Sequence, residues 1–119
     1  MTQPEDVLDM SVIAALRELS GDGDEGLFRE LLELYVDDST KQLQRLEESL
    51  ANGDVKQAER IAHTLKSSSA HLGATAMSKL CLQLELCGRK QSVSDMHELL
   101  PATREAHTRA VQALCALRS

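Results

Sequence analysis

Apolar and small residues recur at spacings of three and four along nearly the whole chain, which is the period of helices buried on one side. Between Asp54 and Leu72 the stripe is Val55, Ala58, Ala62, Leu65, Ser69 and Leu72, and it predicts one amphipathic helix. A second stripe, Phe28, Leu31, Leu32, Tyr35, Ser39, Leu43, Leu46 and Leu50, predicts a long scaffold helix over about 25–51. Ahead of it a first helix is expected over about 6–19, with Val7, Met10, Ile13, Ala14 and Leu16 on or near its buried side.

Punctuation between the stripes sets the topology. Ser20-Gly21-Asp22-Gly23-Asp24 reads as a turn, because the helical pattern resumes before an EF-hand could reach its twelfth-place glutamate. Asn52-Gly53 stops the long helix, and Asp54 caps the next with Gln57 three residues on, as in a capping box. Gly73 can take the left-handed conformation that ends the third helix. Thr75 is expected to cap a fourth helix that hairpins back and runs to about Gly88. A linker over 89–94 then leads into a last helix over about 95–117, kinked near Leu100 by Pro101. The expected fold is all-α, an antiparallel four-helix bundle with an additional short N-terminal helix, in one domain over 1–119.

Composition narrows the function. A chain of 119 residues can bury one core but not two. Phe28 and Tyr35 are its only aromatics, so the core is aliphatic, a palette for helix on helix. The net charge of −6, with no basic stripe, argues against nucleic acid as partner. No apolar stretch is long enough to span a bilayer and the N-terminus lacks a signal-peptide pattern, so a cytoplasmic protein without membrane association is expected. Cys81, Cys87 and Cys115 form no CxxC pair and read as reduced thiols, Cys81 in the core with Met77, Leu80 and Leu84. His71 lies about 80° round the helix from His63 and is read as a surface residue, while His97 and His107 are given solvated or rim positions. No His, Cys, Asp and Glu cluster suggests a metal. No glycine-rich phosphate loop or kinase motif is present, so any phosphoryl group has to come from another protein.

His63 carries the candidate chemistry. It projects about 130° from the middle of its helix's stripe, among Lys56, Glu59, Arg60 and Ser67, and therefore faces solvent. Lys66 and Ser67 follow by three and four residues, the spacings of neighbours on a helix surface. An anion on the ring lies within reach of the Lys66 ammonium and of the Ser67 and Ser68 hydroxyls. The small residues Ser67, Ser68, Ser69 and Ala70 keep the surface low, so another protein can approach closely. A free imidazole has a pKa of about 6.5, so an exposed one is mostly unprotonated on one nitrogen at neutral pH and can attack phosphorus without a dedicated base.

The string H-T-L-K-S-S-S-A-H-L-G-A from His63, preceded by Asn52-Gly53-Asp54 and followed by Leu80-Cys81-Leu82-Gln83-Leu84-Glu85, resembles the signature of histidine-containing phosphotransfer (HPt) domains of bacterial multistep phosphorelays. The specific part of the resemblance covers about 28–89. It implies that His63 is the phosphorylated histidine, Lys66 the phosphate-side lysine and Gly73 the glycine closing the active helix. Many members carry glycine four residues after the histidine; Ser67 stands there in this chain and narrows the approach or adds a hydroxyl. The resemblance further implies a donor phospho-aspartate on the receiver domain of a hybrid sensor histidine kinase and an acceptor aspartate on the receiver of a response regulator. Mg²⁺ would sit in the receiver's acidic pocket, with no cofactor bound by this chain. The alternative is a helical docking module that binds a receiver or kinase without passing phosphate. A monomer is expected, with an exposed apolar patch near His63 for docking. Met1 and the lack of a flanking linker lead to the expectation of an independent protein.

Overall fold

The stripes pair off in chain order. A computed structural model describes residues 7–19 and 25–118, and these form five helices: α1 (Met10–Leu19), α2 (Glu25–Ala51), α3 (Val55–His71), α4 (Thr75–Arg89) and α5 (Val93–Arg118). The turn expected at 20–24 and the N-terminal residues before Val7 lie outside the described residues. Helices α2 to α5 form a closed ring of neighbours, α3 packing most extensively on α4, and α1 leans on α2. This is the expected four-helix bundle with an additional short helix at the N-terminal end.

Three short turns fold the ring, and all three use the same hydrogen bonds. After α2, the amides of Gly53 and Asp54 donate to the carbonyls of Leu50 (3.1 Å) and Ser49 (2.8 Å). After α3, Gly73 and Ala74 donate to Ala70 (3.1 Å) and Ser69 (2.8 Å); after α4, Gln91 and Ser92 donate to Gly88 (3.0 Å) and Cys87 (2.9 Å). This is the Schellman arrangement, whose pivotal residue adopts positive φ. Gly53 (+74°) and Gly73 (+76°) do so without a Cβ penalty, whereas Gln91 (+57°) carries one. Asp54 then caps α3, its Oδ1 accepting the Gln57 amide at 3.1 Å.

Four sequence expectations need correction. Within the described residues α1 starts at Met10 after a non-helical Leu8 and Asp9, because Asp9 caps it through the Ser11 amide (3.0 Å) and gives its own amide to the Gly73 carbonyl (2.7 Å). That tether inserts Val7 and Leu8 into the core and leaves Met10 and Ala14 exposed. Ala74, not Thr75, is the N-cap of α4; Thr75 is its first residue and donates to the Gly73 carbonyl at 3.3 Å. Helix α4 continues past Gly88 to Arg89, and α5 starts at Val93, where the Ser92 hydroxyl meets Asp95 Oδ2 (2.7 Å), and runs on through Pro101.

The fourth correction concerns His107. It is buried on α5, with Nε2 2.8 Å from the Ser39 hydroxyl of α2, and burial pushes its pKa down. The Tyr35 and Ser69 hydroxyls pair similarly at 2.7 Å between α2 and α3. Around these pairs the core is aliphatic, with Leu32, Leu46, Leu65, Met77, Leu84, Met96 and Leu114 buried. Cys81 lies among them, its thiol pushed up to about 12 by burial, as befits a packing residue. Among the described residues no buried side-chain nitrogen or oxygen lacks a partner.

Candidate functional site

The α3–α4 hairpin places His63 opposite a charge that the helix pattern of α3 alone does not reveal. His63 is 58 % exposed, and its Nδ1 lies 2.9 Å from Oε2 of Glu85 on α4. The Glu85 side chain is only 3 % exposed. Its Oε1 accepts from Lys66 Nζ at 2.7 Å, and its Oε2 also accepts from Arg89 Nη2 at 2.9 Å. Arg89 in turn sits 3.9 Å from the Glu59 carboxylate of α3.

A buried carboxylate is costly unless its oxygens are paired, and here three donors converge on it. The Lys66 hydrogen bond, chiefly, and that from His63 hold the Glu85 carboxyl below the usual carboxylate range despite its burial. Glu85 is therefore ionised at neutral pH and can only accept hydrogen bonds. The proton of the neutral His63 ring then resides on Nδ1, which leaves the lone pair of Nε2 directed away from Glu85, toward solvent. With Nδ1 engaged by Glu85, Nε2 is the ring nitrogen left open to an incoming group.

The other sequence-derived candidates occupy distinct places. Lys66 is partly buried and reaches across to α4, while its backbone carbonyl accepts from the Ser78 hydroxyl at 3.0 Å. An ammonium has three donors, so the bond to Glu85 leaves capacity for an anion. Ser67 is exposed one turn beyond His63. Ser68 is half-buried, about 140° round the helix from His63, and its hydroxyl donates to the Leu65 carbonyl at 3.3 Å. Gly73 is buried where α3 ends; a Cβ there would lie 3.0 Å from the Asp9 carbonyl oxygen and 3.2 Å from Val12 Cβ. His71 and His97 are exposed.

Three residues at or beside the site escaped the reading of the sequence: Glu85, Arg89, which was placed at the start of a linker, and Gly88. Glu85 sits four residues after Cys81 and beside Leu84, on the buried side of α4, so a charge within an apolar stripe was the available signal. Gly88 was read as the end of α4 but lies inside it, buried against Glu59. Among the described residues no group of three or more His, Cys, Asp or Glu is placed to hold a metal ion, and no helix is long and apolar enough to cross a membrane.

Comparison with known proteins bears on the family and the fold. The sequence profile of the Hpt domain matches residues 30–116. The chain is 28% identical over 92 residues to multistep phosphorelay regulator 1 of Schizosaccharomyces pombe, covering 77% of this chain and 31% of that protein. It is 32% identical over 75 residues to histidine-containing phosphotransfer protein 5 of Arabidopsis thaliana, covering 60% and 48% respectively. The chain thus spans less than half the length of either relative. Among solved structures, histidine-containing phosphotransfer protein B of Pseudomonas aeruginosa PAO1 superposes with a TM-score of 0.86 at 26% identity over 93% of both chains. The HPT domain of a sensor hybrid histidine kinase from Shewanella shares the fold, with a TM-score of 0.74 at 17% identity over 92% of both chains. With a match over most of its length and the helical bundle to accompany it, the chain belongs to the Hpt domain family.

Proposed function

We propose that this chain is a phosphorelay intermediate that takes a phosphoryl group onto His63 from the phospho-aspartate of one receiver domain and passes it to the aspartate of another. The reading rests above all on the His63 ring, held through Nδ1 by a buried carboxylate with Nε2 outward and Lys66 beside it. In the forward step the Nε2 lone pair attacks phosphorus in line, a P–N bond forms, and the P–O bond to the donor aspartate breaks with its electron pair leaving on the carboxylate. No proton has to move: Nδ1–H stays in place, and the positive charge that develops on the ring faces Glu85 Oε2 at 2.9 Å. Lys66, bonded to Glu85 in the unloaded site, has donors to offer the phosphoryl oxygens. The second transfer is the same step reversed toward a different carboxylate.

The donor and acceptor are the receiver of a hybrid sensor kinase and that of a response regulator, with Mg²⁺ supplied by the receiver. The chain works as a cytoplasmic monomer and does not phosphorylate itself from ATP. The deciding experiment offers a panel of isotopically labelled phospho-receivers to the wild-type chain and to His63→Gln. Acid-labile, alkali-stable label on the wild type alone is the expected result. Complexes that form with no transfer would replace this reading with that of a docking module.

A further inference from the structure

Glycine is the poorest helix former after proline, yet Gly88 lies inside α4 with ordinary helical backbone. It neither ends the helix nor takes a positive φ, so its value lies in the space it leaves. A Cβ at position 88 would lie 2.8 Å from Glu59 Cβ, 3.2 Å from Glu59 Cγ and 3.3 Å from Glu59 Cα. These atoms belong to the backbone and root of the Glu59 side chain, which cannot swing aside as a flexible tip would. Position 88 is one turn from Glu85, and position 59 one turn from His63. A tight approach of α3 and α4 therefore sits directly beside the hydrogen bonds that define the site.

We propose that Gly88 is a positioning residue for the phosphoryl-accepting site: its missing side chain lets α4 close on α3 at Glu59, which holds Glu85 within hydrogen-bond distance of both His63 and Lys66. The inference rests on the function proposed above for what the site does, but not for the geometry. Ordinary Cβ contacts begin at 3.4 Å, so relieving the 2.8 Å approach takes a separation of about 0.6 Å. Carried one turn along the helices, that shift would stretch the 2.9 Å His63–Glu85 bond to about 3.5 Å, the outer limit of a hydrogen bond. The ring would then lose the partner that fixes its tautomer.

The test compares wild type, Gly88→Ala, Glu59→Gly and the double variant by long-range ¹H–¹⁵N imidazole spectra of His63, by single-turnover transfer from a phospho-receiver and by thermal unfolding. In Gly88→Ala the Nδ1–H signature of His63 is expected to give way to a tautomer mixture, and transfer to fall on the order of a hundredfold. Removing the opposing Cβ in the double variant is expected to return both readouts to those of Glu59→Gly alone. A Gly88→Ala protein with wild-type tautomer and rate would overturn the proposal, as would a double variant that folds but regains neither. If Gly88→Ala does not fold, the double variant decides alone: folding with the Nδ1–H signature supports the inference, and anything else defeats it. The spectra need no partner, so a wild type that holds the tautomer yet accepts no phosphoryl group would overturn the proposed function and leave Gly88 to be judged by the tautomer comparison.

Discussion

Glu85→Gln exchanges the buried carboxylate for an amide of nearly the same shape, so its consequences are electrostatic. The carboxylate accepts from His63 Nδ1, Lys66 and Arg89. An amide has one accepting oxygen, and its NH₂ must face at least one of these donors. Exposed ion pairs are worth about 0–1 kcal/mol and breaking a buried pair about 3–5 kcal/mol. Glu85 is buried, but Lys66 and Arg89 are 27% and 58% exposed, so a loss of about 2 kcal/mol of stability is expected at pH 7. In the proposed transfer the same carboxylate faces the charge that would develop on the ring. Two unit charges about 4 Å apart at an effective dielectric of about 20 interact by about 4 kcal/mol, and solvent at the half-exposed ring reduces this. A 10- to 100-fold loss in transfer rate is expected, roughly 1.4–2.7 kcal/mol, readable by rapid-quench single-turnover assay.

The pH dependence gives the same reasoning a second check. A carboxyl whose pKa is lowered on folding contributes stability that is present above its unfolded value, near 4.5, and is lost as pH falls through the folded value. Urea unfolding of wild type and Glu85→Gln should therefore converge as pH falls below about 4.5. A variant that transfers at the wild-type rate and is equally stable at pH 7 would refute the assignment of Glu85 as the centre of the site.

Three further outcomes are expected. Lys66→Ala slows transfer or shortens the lifetime of the phosphorylated form, as followed by loss of label over time; unchanged rate and lifetime would remove Lys66 from the site. Gln91→Gly, at φ +57°, relieves a left-handed penalty of about 1–2 kcal/mol at some entropic cost, for a net gain of about 0.5–1 kcal/mol in urea melts. Because burial lowers the His107 pKa, the unfolded chain binds the proton first as pH falls through about 6.5, so stability declines below that pH. His107→Gln is expected to flatten that part of the profile, and an unchanged slope would exclude His107 as its source.

What was legible in the sequence was what the chain specifies locally. The α2–α3 turn was read correctly because Asn52, Gly53, Asp54 and Gln57 carry its capping chemistry within six residues. The next turn's glycine was equally plain, but the bond from Asp9 to Gly73 joins residues far apart in sequence and fixes the register of α1. Gln91 adopts a glycine-like conformation with no compositional sign of it. His107 is buried by a partner 68 residues away. In the site, the exposure of His63 followed from its place on the helix, whereas Glu85 joins it across 22 residues and Lys66 across 19, pairings that exist only once α4 has folded back.

The three hairpins also limit how this protein can be recognised. Between α2 and α5 each connection is three residues long and fully engaged in closing one helix and opening the next. None has slack to reshape itself around a visitor. A partner landing over the active helix thus meets a main chain already set in place, and telling one partner from another becomes the work of side chains on rigid rods rather than of adaptable loops.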